Sequence, residues 1–136
     1  MIFHRHNVKP VANASERMLK NHLHRLNMFG NSRYAHITDE EGNWLQVGGG
    51  RLYCFLERHD TGMDAFYRGW RTSPLDVPFP DPVDVTIDGG RVSVRKDEWF
   101  RIEEVIQIFV AFRNQRALPQ WVCWKDISEL VRRNMT

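Results

Sequence analysis

The segment from Val105 to Leu130, VIQIFVAFRNQRALPQWVCWKDISEL, changes its pattern twice and so determines how the second half of the chain folds. Its first part carries apolar residues at helical spacing and continues a stripe that begins at Ile102. Pro119 ends any helix, because proline lacks an amide hydrogen and clashes with the preceding turn. The run QWVCW then predicts a short strand, and Asp126 with Glu129 predicts a capping box that starts a terminal helix.

The two tryptophans of this predicted strand are expected to be structural. Trp121 and Trp124 stand three residues apart, so the alternation of a regular strand places them on opposite faces. A strand that is apolar on both faces is typical of the centre of a sheet, or of a strand covered on both sides. The sequence therefore predicts that both tryptophans pack in the core.

Towards the N-terminus, residues 13–30 predict a first helix. Asn13 and Glu16 have the spacing of a capping box, and Gly30 is placed to end the helix. The apolar stripe of this helix consists of Leu19, Leu23, Leu26 and Phe29.

Between the two long helices the apolar period changes to two, which is typical of strands. The predicted strands are YAHIT, NWLQV, RLYCFLERH and AFYRGW, followed by a hairpin in VDVTIDGGRVSVRK that turns at Gly89 and Gly90. Four prolines in RTSPLDVPFPDP predict a loop or a sheet edge. The expected fold class is α+β, a mostly antiparallel sheet packed by an N-terminal helix and a long helix in the C-terminal half. A further strand and a short terminal helix complete a single domain over residues 1–136.

The composition is that of a globular protein, with 42% hydrophobic and 26% charged residues. No apolar run approaches the roughly 20 residues that a membrane span needs, and the first ten residues lack the apolar centre of a signal peptide. We therefore expect a cytoplasmic protein without membrane association. Cys54 and Cys123 lie in apolar runs without metal-binding or redox spacing, so we expect two small buried hydrophobes.

No motif indicates catalysis or metal binding. His22 and His24 stand two apart on a predicted helix, about 200° around its axis, and so cannot share a metal. Ser73 lacks the glycine-flanked turn of a hydrolase nucleophile, and Cys54 has no identifiable base. The glycines at 48–50 lack the lysine and the helix of a phosphate loop, so a tight turn or a close backbone approach is the expected use. We expect no metal, no cofactor and no enzymatic activity.

The charges are distributed unevenly along the chain. Residues 1–33 hold six basic residues against one acidic, a net charge of +5. Residues 34–104 hold eight against 14, a net charge of −6, and residues 105–136 hold five against two, a net charge of +3. This asymmetry indicates either a charged partner or a fold in which the basic ends lie beside the acidic middle.

The order of several motifs resembles that of a known family. The glycine-rich turn and strand VGGGRLYCFL precede a proline-rich segment, and the helix IEEVIQIFVAF precedes LPQWVCWKDI. Over about residues 44–127, this arrangement resembles the immunity protein 1 family of bacterial polymorphic-toxin systems. The anchors of the resemblance are Gly48 to Gly50, Glu103, Glu104, Phe109, Phe112, Pro119 and Trp124. The first helix lies outside it, and Val105 stands where the family usually has alanine.

The resemblance implies an immunity protein that binds a cognate toxin domain, typically a nuclease or deaminase, and occludes its active site. Because such toxins have basic clefts, an acidic surface would attract them and speed association. The candidate partner-binding residues are carboxylates in turns and two loop aromatics, namely Asp39, Glu40, Glu41, Asp60, Asp64, Trp70, Phe79, Asp81 and Asp84.

Two alternatives remain open from the sequence. Arg17, Lys20 and Arg25 on the predicted first helix, with His22 and His24, fit a small nucleic-acid-binding or regulatory module, although no known nucleic-acid motif accompanies them. The clustered carboxylates also fit a hydrolase with an unrecognised site, although nothing in the sequence indicates a carboxyl group with a raised pKa.

Overall fold

A computed structural model gives the fold and describes residues 1–87 and 90–134. Within them lie nine strands, β1 (Ile2–Arg5), β2 (Val11–Ala12), β3 (Tyr34–Thr38), β4 (Trp44–Gly49), β5 (Cys54–Asp60), β6 (Ala65–Trp70), β7 (Val83–Ile87), β8 (Gly90–Val94) and β9 (Cys123–Asp126). The α-helices are α1 (Glu16–Leu23), α2 (Ile102–Arg113) and α3 (Ser128–Asn134), and a short 3₁₀ helix spans Lys96–Glu98. Seven strands form one antiparallel sheet in the order β2-β1-β3-β4-β5-β6-β9, and β7 pairs with β8 separately. The predicted α+β class and antiparallel sheet are confirmed.

One face of the sheet is covered by helices. Alternate residues of the strands point into this layer, among them Ile37 of β3, Val47 of β4 and Leu56 of β5. Leu19 of α1 and Phe109 of α2 belong to the same buried cluster. The two-residue period of the strands thus meets the helical stripes in one core.

The first helix is shorter than its sequence pattern predicts. Ser15 caps it, accepting a hydrogen bond from the amide of Met18 at 3.2 Å, and the predicted cap Asn13 lies outside the helix with φ +52°. The helix ends at Leu23, and beyond it backbone hydrogen bonds run three residues back, the pattern of a tightening terminal turn. Phe29, predicted in the buried stripe, is 87% exposed.

The last strand also differs from its prediction. Trp121 lies in the turn before β9 and is 39% exposed, so its predicted place in the core is wrong. Trp124 does lie on β9 and is half-buried, with the guanidinium of Arg58 4.9 Å from its ring. Among the described residues β9 pairs only with β6, at the edge of the sheet, so the two apolar faces of QWVCW do not mark a central strand.

The predicted capping box before α3 is half formed. Asp126 accepts a hydrogen bond from the amide of Ser128 at 2.8 Å, and bonds from the Ser128 hydroxyl and amide lower the pKa of Asp126. Glu129 pairs with Arg133 at 2.6 Å, one turn along the helix.

The second face of the sheet is partly covered by the β7–β8 hairpin. Val85, Ile87 and Val94 of the hairpin form a second buried cluster with Phe55 of β5 and with Trp99, which is 1% exposed. The hairpin is confirmed, whereas Asp88 of its first predicted strand and Gly89 of its predicted turn lie outside the described residues. The proline-rich segment 71–82 contains no strand, as predicted.

A buried ion network lies between the sheet and this hairpin. Arg68 of β6 places Nη1 3.3 Å from Oε1 of Glu98 and Nη2 2.7 Å from Oε2 of Glu57. Nη1 also donates to the backbone carbonyl of Ser93 at 3.1 Å. The second oxygen of Glu98 lies 2.6 Å from Nζ of Lys125 on β9. The network therefore joins β5, β6 and β9 to the hairpin and the 3₁₀ helix.

The glycines at 48–50 serve both predicted uses, the turn and the close approach. Gly49 has φ +106°, and a Cβ there would lie 2.8 Å from the carbonyl oxygen of Tyr53. At Gly50 a Cβ would lie 3.0 Å from the amide nitrogen of Met28. The connection between β4 and β5 is thus shaped by backbone packed directly on backbone.

Gly49→Ala should lower the free energy of unfolding by at least about 2 kcal/mol, because it combines a strained φ with a backbone clash. Gly62→Ala, in the exposed β5–β6 turn, is the control and should change stability by less than about 0.5 kcal/mol. Denaturant unfolding measures both, and equal losses would contradict the close approach.

Trp99→Ala should cost about 3–5 kcal/mol of stability, the range for emptying a buried aromatic site. Trp121→Ala, at an exposed turn position, should cost less than about 1 kcal/mol. Urea melts followed by far-UV circular dichroism test this contrast, and the reverse order would refute the assignment of Trp99 to the core.

Candidate functional site

The sequence-predicted contact residues separate into two groups. Asp39, Glu40 and Glu41 lie in the β3–β4 turn, and Asp60 and Asp64 flank the β5–β6 turn. Because β3 to β6 are consecutive antiparallel strands, both turns lie at the same end of the sheet. We call these five carboxylates the acidic end.

The two turns are fixed side by side by one asparagine. Oδ1 of Asn43 accepts hydrogen bonds from the amide and the hydroxyl of Thr61, both at 2.8 Å. Asn43 is itself held by Asp39, which accepts from its backbone amide and from its side-chain amide, both at 3.0 Å. The acidic end is therefore pre-organised.

The carboxylates of the acidic end differ in their local roles. Asp39 is used within its own turn, and Oδ1 of Asp60 accepts the amide of Met63 at 3.2 Å. Asp64 lies 3.2 Å from Nε2 of His59. Within residues 1–87 and 90–134, Glu40 and Glu41 form no ion pair, and both are exposed.

Basic residues of the chain's C-terminal part lie close to these carboxylates. Arg113 of α2 lines a small cavity with Glu40, and Arg116 lines a neighbouring one with Asp39 and Glu41. The guanidinium of Arg113 is already bonded to the carbonyl of Ala14 at 2.6 Å. At this end, then, the basic and acidic segments of the sequence meet in the fold, while the two glutamates stay accessible.

The other predicted contacts lie elsewhere. Asp81 accepts a hydrogen bond from the amide of Lys96 at 2.9 Å, and Asp84 is exposed on β7. Trp70 is the last residue of β6, as the predicted strand AFYRGW has it; it is half-buried and paired with Cys123, so its prediction as a loop aromatic is wrong. Phe79 does lie in the proline-rich loop, but its half-buried ring packs on the second cluster.

A groove at the opposite end of the sheet was not predicted from the sequence. It has a volume of about 600 Å³, and its walls are residues 24–29, the β4–β5 connection at 50–53, and Pro78 with Phe79. Phe29 lines this groove and is 87% exposed, whereas its helical spacing predicts a buried position.

The side chains of Cys54, Cys123, His4 and His36 lie in surroundings that indicate a structural role. Burial raises the pKa of the Cys54 thiol strongly, and its Sγ donates to the carbonyl of Phe100 at 3.3 Å. Cys54 and Cys123 are both free thiols. His4 and His36 face each other with ring centroids 5.2 Å apart, and burial followed by repulsion from His4 lowers the pKa of His36. Among residues 1–87 and 90–134, no three His, Cys, Asp or Glu side chains stand close enough to hold a metal ion.

No helix within the described part of the chain has the length and apolar character to cross a membrane. Comparison with known proteins finds no family model that matches this chain and no curated protein that matches it. The resemblance to the immunity protein 1 family therefore stays a prediction.

Proposed function

We propose that the protein is an immunity protein that binds a cognate bacterial toxin domain through its acidic end and neutralises it by occlusion. The observation that supports this function is the Asn43 clasp, which fixes two acidic turns side by side on a rigid sheet. Glu40 and Glu41 project from that support, and both are exposed. A pre-organised surface loses little conformational entropy on binding, so more of the contact energy contributes to affinity.

The acidic end suits a basic cleft of the kind that binds nucleic acid. Exposed carboxylates attract such a cleft at long range and increase the association rate, an effect that salt screens. Arg113 and Arg116 weaken this field on the side of α2. Arg132 lies 3.8 Å from Oδ2 of Asp64 and weakens the field there as well. The direction of approach is therefore set by the two glutamates.

Only some of the residues predicted from the sequence as contacts belong to the proposed binding surface. Asp39 and Asp60 shape the turns through their backbone hydrogen bonds and contribute charge from behind. Glu40, Glu41 and Asp64 are the exposed contacts. Phe79 packs against Tyr53 at the other end of the sheet and lies outside this surface.

The double variant Glu40→Lys/Glu41→Lys should lose toxin neutralisation and keep its melting temperature, because neither side chain has an ion-pair partner to lose among the described residues. The assay is co-expression with the toxin domain encoded by the neighbouring gene, where the wild-type protein should restore growth. Association measured at low salt should slow by at least about ten-fold.

Asp76→Lys is the matched control, an exposed acidic residue of the proline-rich loop outside the acidic end. It should retain rescue. The acidic-end mechanism is wrong if the double variant still rescues growth while Arg17→Glu/Lys20→Glu on α1 does not.

A further inference from the structure

We propose that the groove opposite the acidic end is a docking site for an acidic, amphipathic segment of a partner protein. Its volume of about 600 Å³ lies within the range of ligand-binding clefts. It is formed around the β4–β5 connection, whereas the acidic end is formed by the β3–β4 and β5–β6 turns. The inference therefore stands apart from the function proposed for the acidic end.

Two large apolar side chains that line this groove are strongly exposed. Phe29 is 87% exposed and Leu52 is 71% exposed. Single apolar residues scattered over a surface are ordinary, but two that line one concavity are typical of an interaction site. Each would lose water contact when an apolar side chain enters between them.

The wall of the groove around Phe79 and Tyr53 is held in place by packing. The ring of Phe79 packs edge-on against Tyr53 at 5.6 Å and lies 4.9 Å from the buried ring of Trp99. Two walls are joined by the backbone, since the amide of Arg51 donates to the carbonyl of Leu26 at 3.2 Å. A partner thus meets a shaped surface and need not order it.

The rim of the groove is basic. His24, Arg25 and Arg51 line it and are exposed, and no carboxylate is among its lining residues. Within the described residues, neither arginine is in an ion pair. Two cations without counter-charges beside an apolar cleft complement a segment that carries acidic residues around a large apolar side chain.

The groove continues beyond Phe29, which favours a chain segment over a small molecule. A second cavity of about 360 Å³ shares Met28, Phe29 and Phe79 with the first and reaches Arg33. Asp84 lies in this second part and offsets the charge of Arg33. Acidic side chains of the partner are therefore placed in the first part, beside Arg25 and Arg51.

A protein segment fits the lining better than a nucleic-acid strand. Binding of a single strand uses successive aromatic faces on which bases stack. Tyr53 and Phe79 pack on each other, so Phe29 is the one strongly exposed ring among the Phe and Tyr side chains that line this groove. Met28 and Leu52 supply aliphatic surface, which suits apolar side chains of a peptide.

The test is selection of a random-peptide display library on the wild-type protein. Peptides rich in Asp and Glu, with large apolar residues three or four positions apart, should be enriched. Their affinity should fall by at least about ten-fold in Phe29→Ser/Leu52→Ser and in Arg25→Glu/Arg51→Glu. The matched control is Met63→Ser, an exposed apolar residue of the β5–β6 turn, which should bind as the wild type does. All substituted side chains are exposed, so melting temperatures should be unchanged.

Three results would overturn the proposal. The first is no enrichment on the wild type over the Phe29→Ser/Leu52→Ser protein. The second is enrichment of neutral or basic peptides. The third is tighter binding of an oligouridine strand than of the best peptide, lost in Arg25→Glu/Arg51→Glu, which would assign the groove to nucleic acid. Because the groove substitutions at positions 25, 29, 51 and 52 lie away from the acidic end, these results do not affect the toxin-rescue assay.

Discussion

The ion pair between Arg68 and Glu98 is the interaction on which the arrangement of the second face of the sheet depends. Burying two charges costs several kcal/mol per ion, and the cost is offset only where geometry and further hydrogen bonds are favourable. Here Arg68 is also bonded to Glu57 and to the carbonyl of Ser93, and Glu98 accepts the amide of Arg95 at 2.8 Å. These directional contacts fix one position of the hairpin on the sheet.

The groove depends on that position. Trp99 directly follows Glu98 and is buried against Phe55 of the sheet and against Phe79 of the proline-rich loop. Phe79 in turn forms part of the groove wall with Tyr53. A charge network in the interior is thereby connected, through three aromatic rings, to a surface cleft at one end of the sheet. The acidic end, held by Asn43, is shaped independently at the other.

Much of the fold follows from local pattern. The strands YAHIT and AFYRGW coincide with β3 and β6, and the stripe from Ile102 coincides with α2, because period two and period 3.6 reflect which side chains face the core. The grouping of Asp39 to Glu41 with Asp60 and Asp64 also follows from an antiparallel meander, in which alternate turns share an end.

The remaining features depend on contacts distant in sequence. β1 has four residues, IFHR, and is defined by pairing with β3 some thirty positions later, so its short pattern carries little signal. The partners Arg68 and Glu98 are charged residues whose burial no local period indicates. Phe29 fits a helical stripe by spacing, yet the helix ends at Leu23. The spacing therefore predicts a buried position for Phe29 and gives no sign of the groove. The approach of Arg113 and Arg116 to the acidic end likewise exists only in the fold.

The Arg68–Glu98 pair positions the hairpin and, through Trp99, the groove wall. Amide hydrogen exchange of Glu98→Gln against wild type tests it most directly, because exchange reports local opening segment by segment. In Glu98→Gln the amides of β7 and β8 should lose protection by at least about ten-fold, while those of β3 to β5 keep theirs. Unchanged protection of the hairpin, or an equal loss in every strand of the sheet, would contradict it.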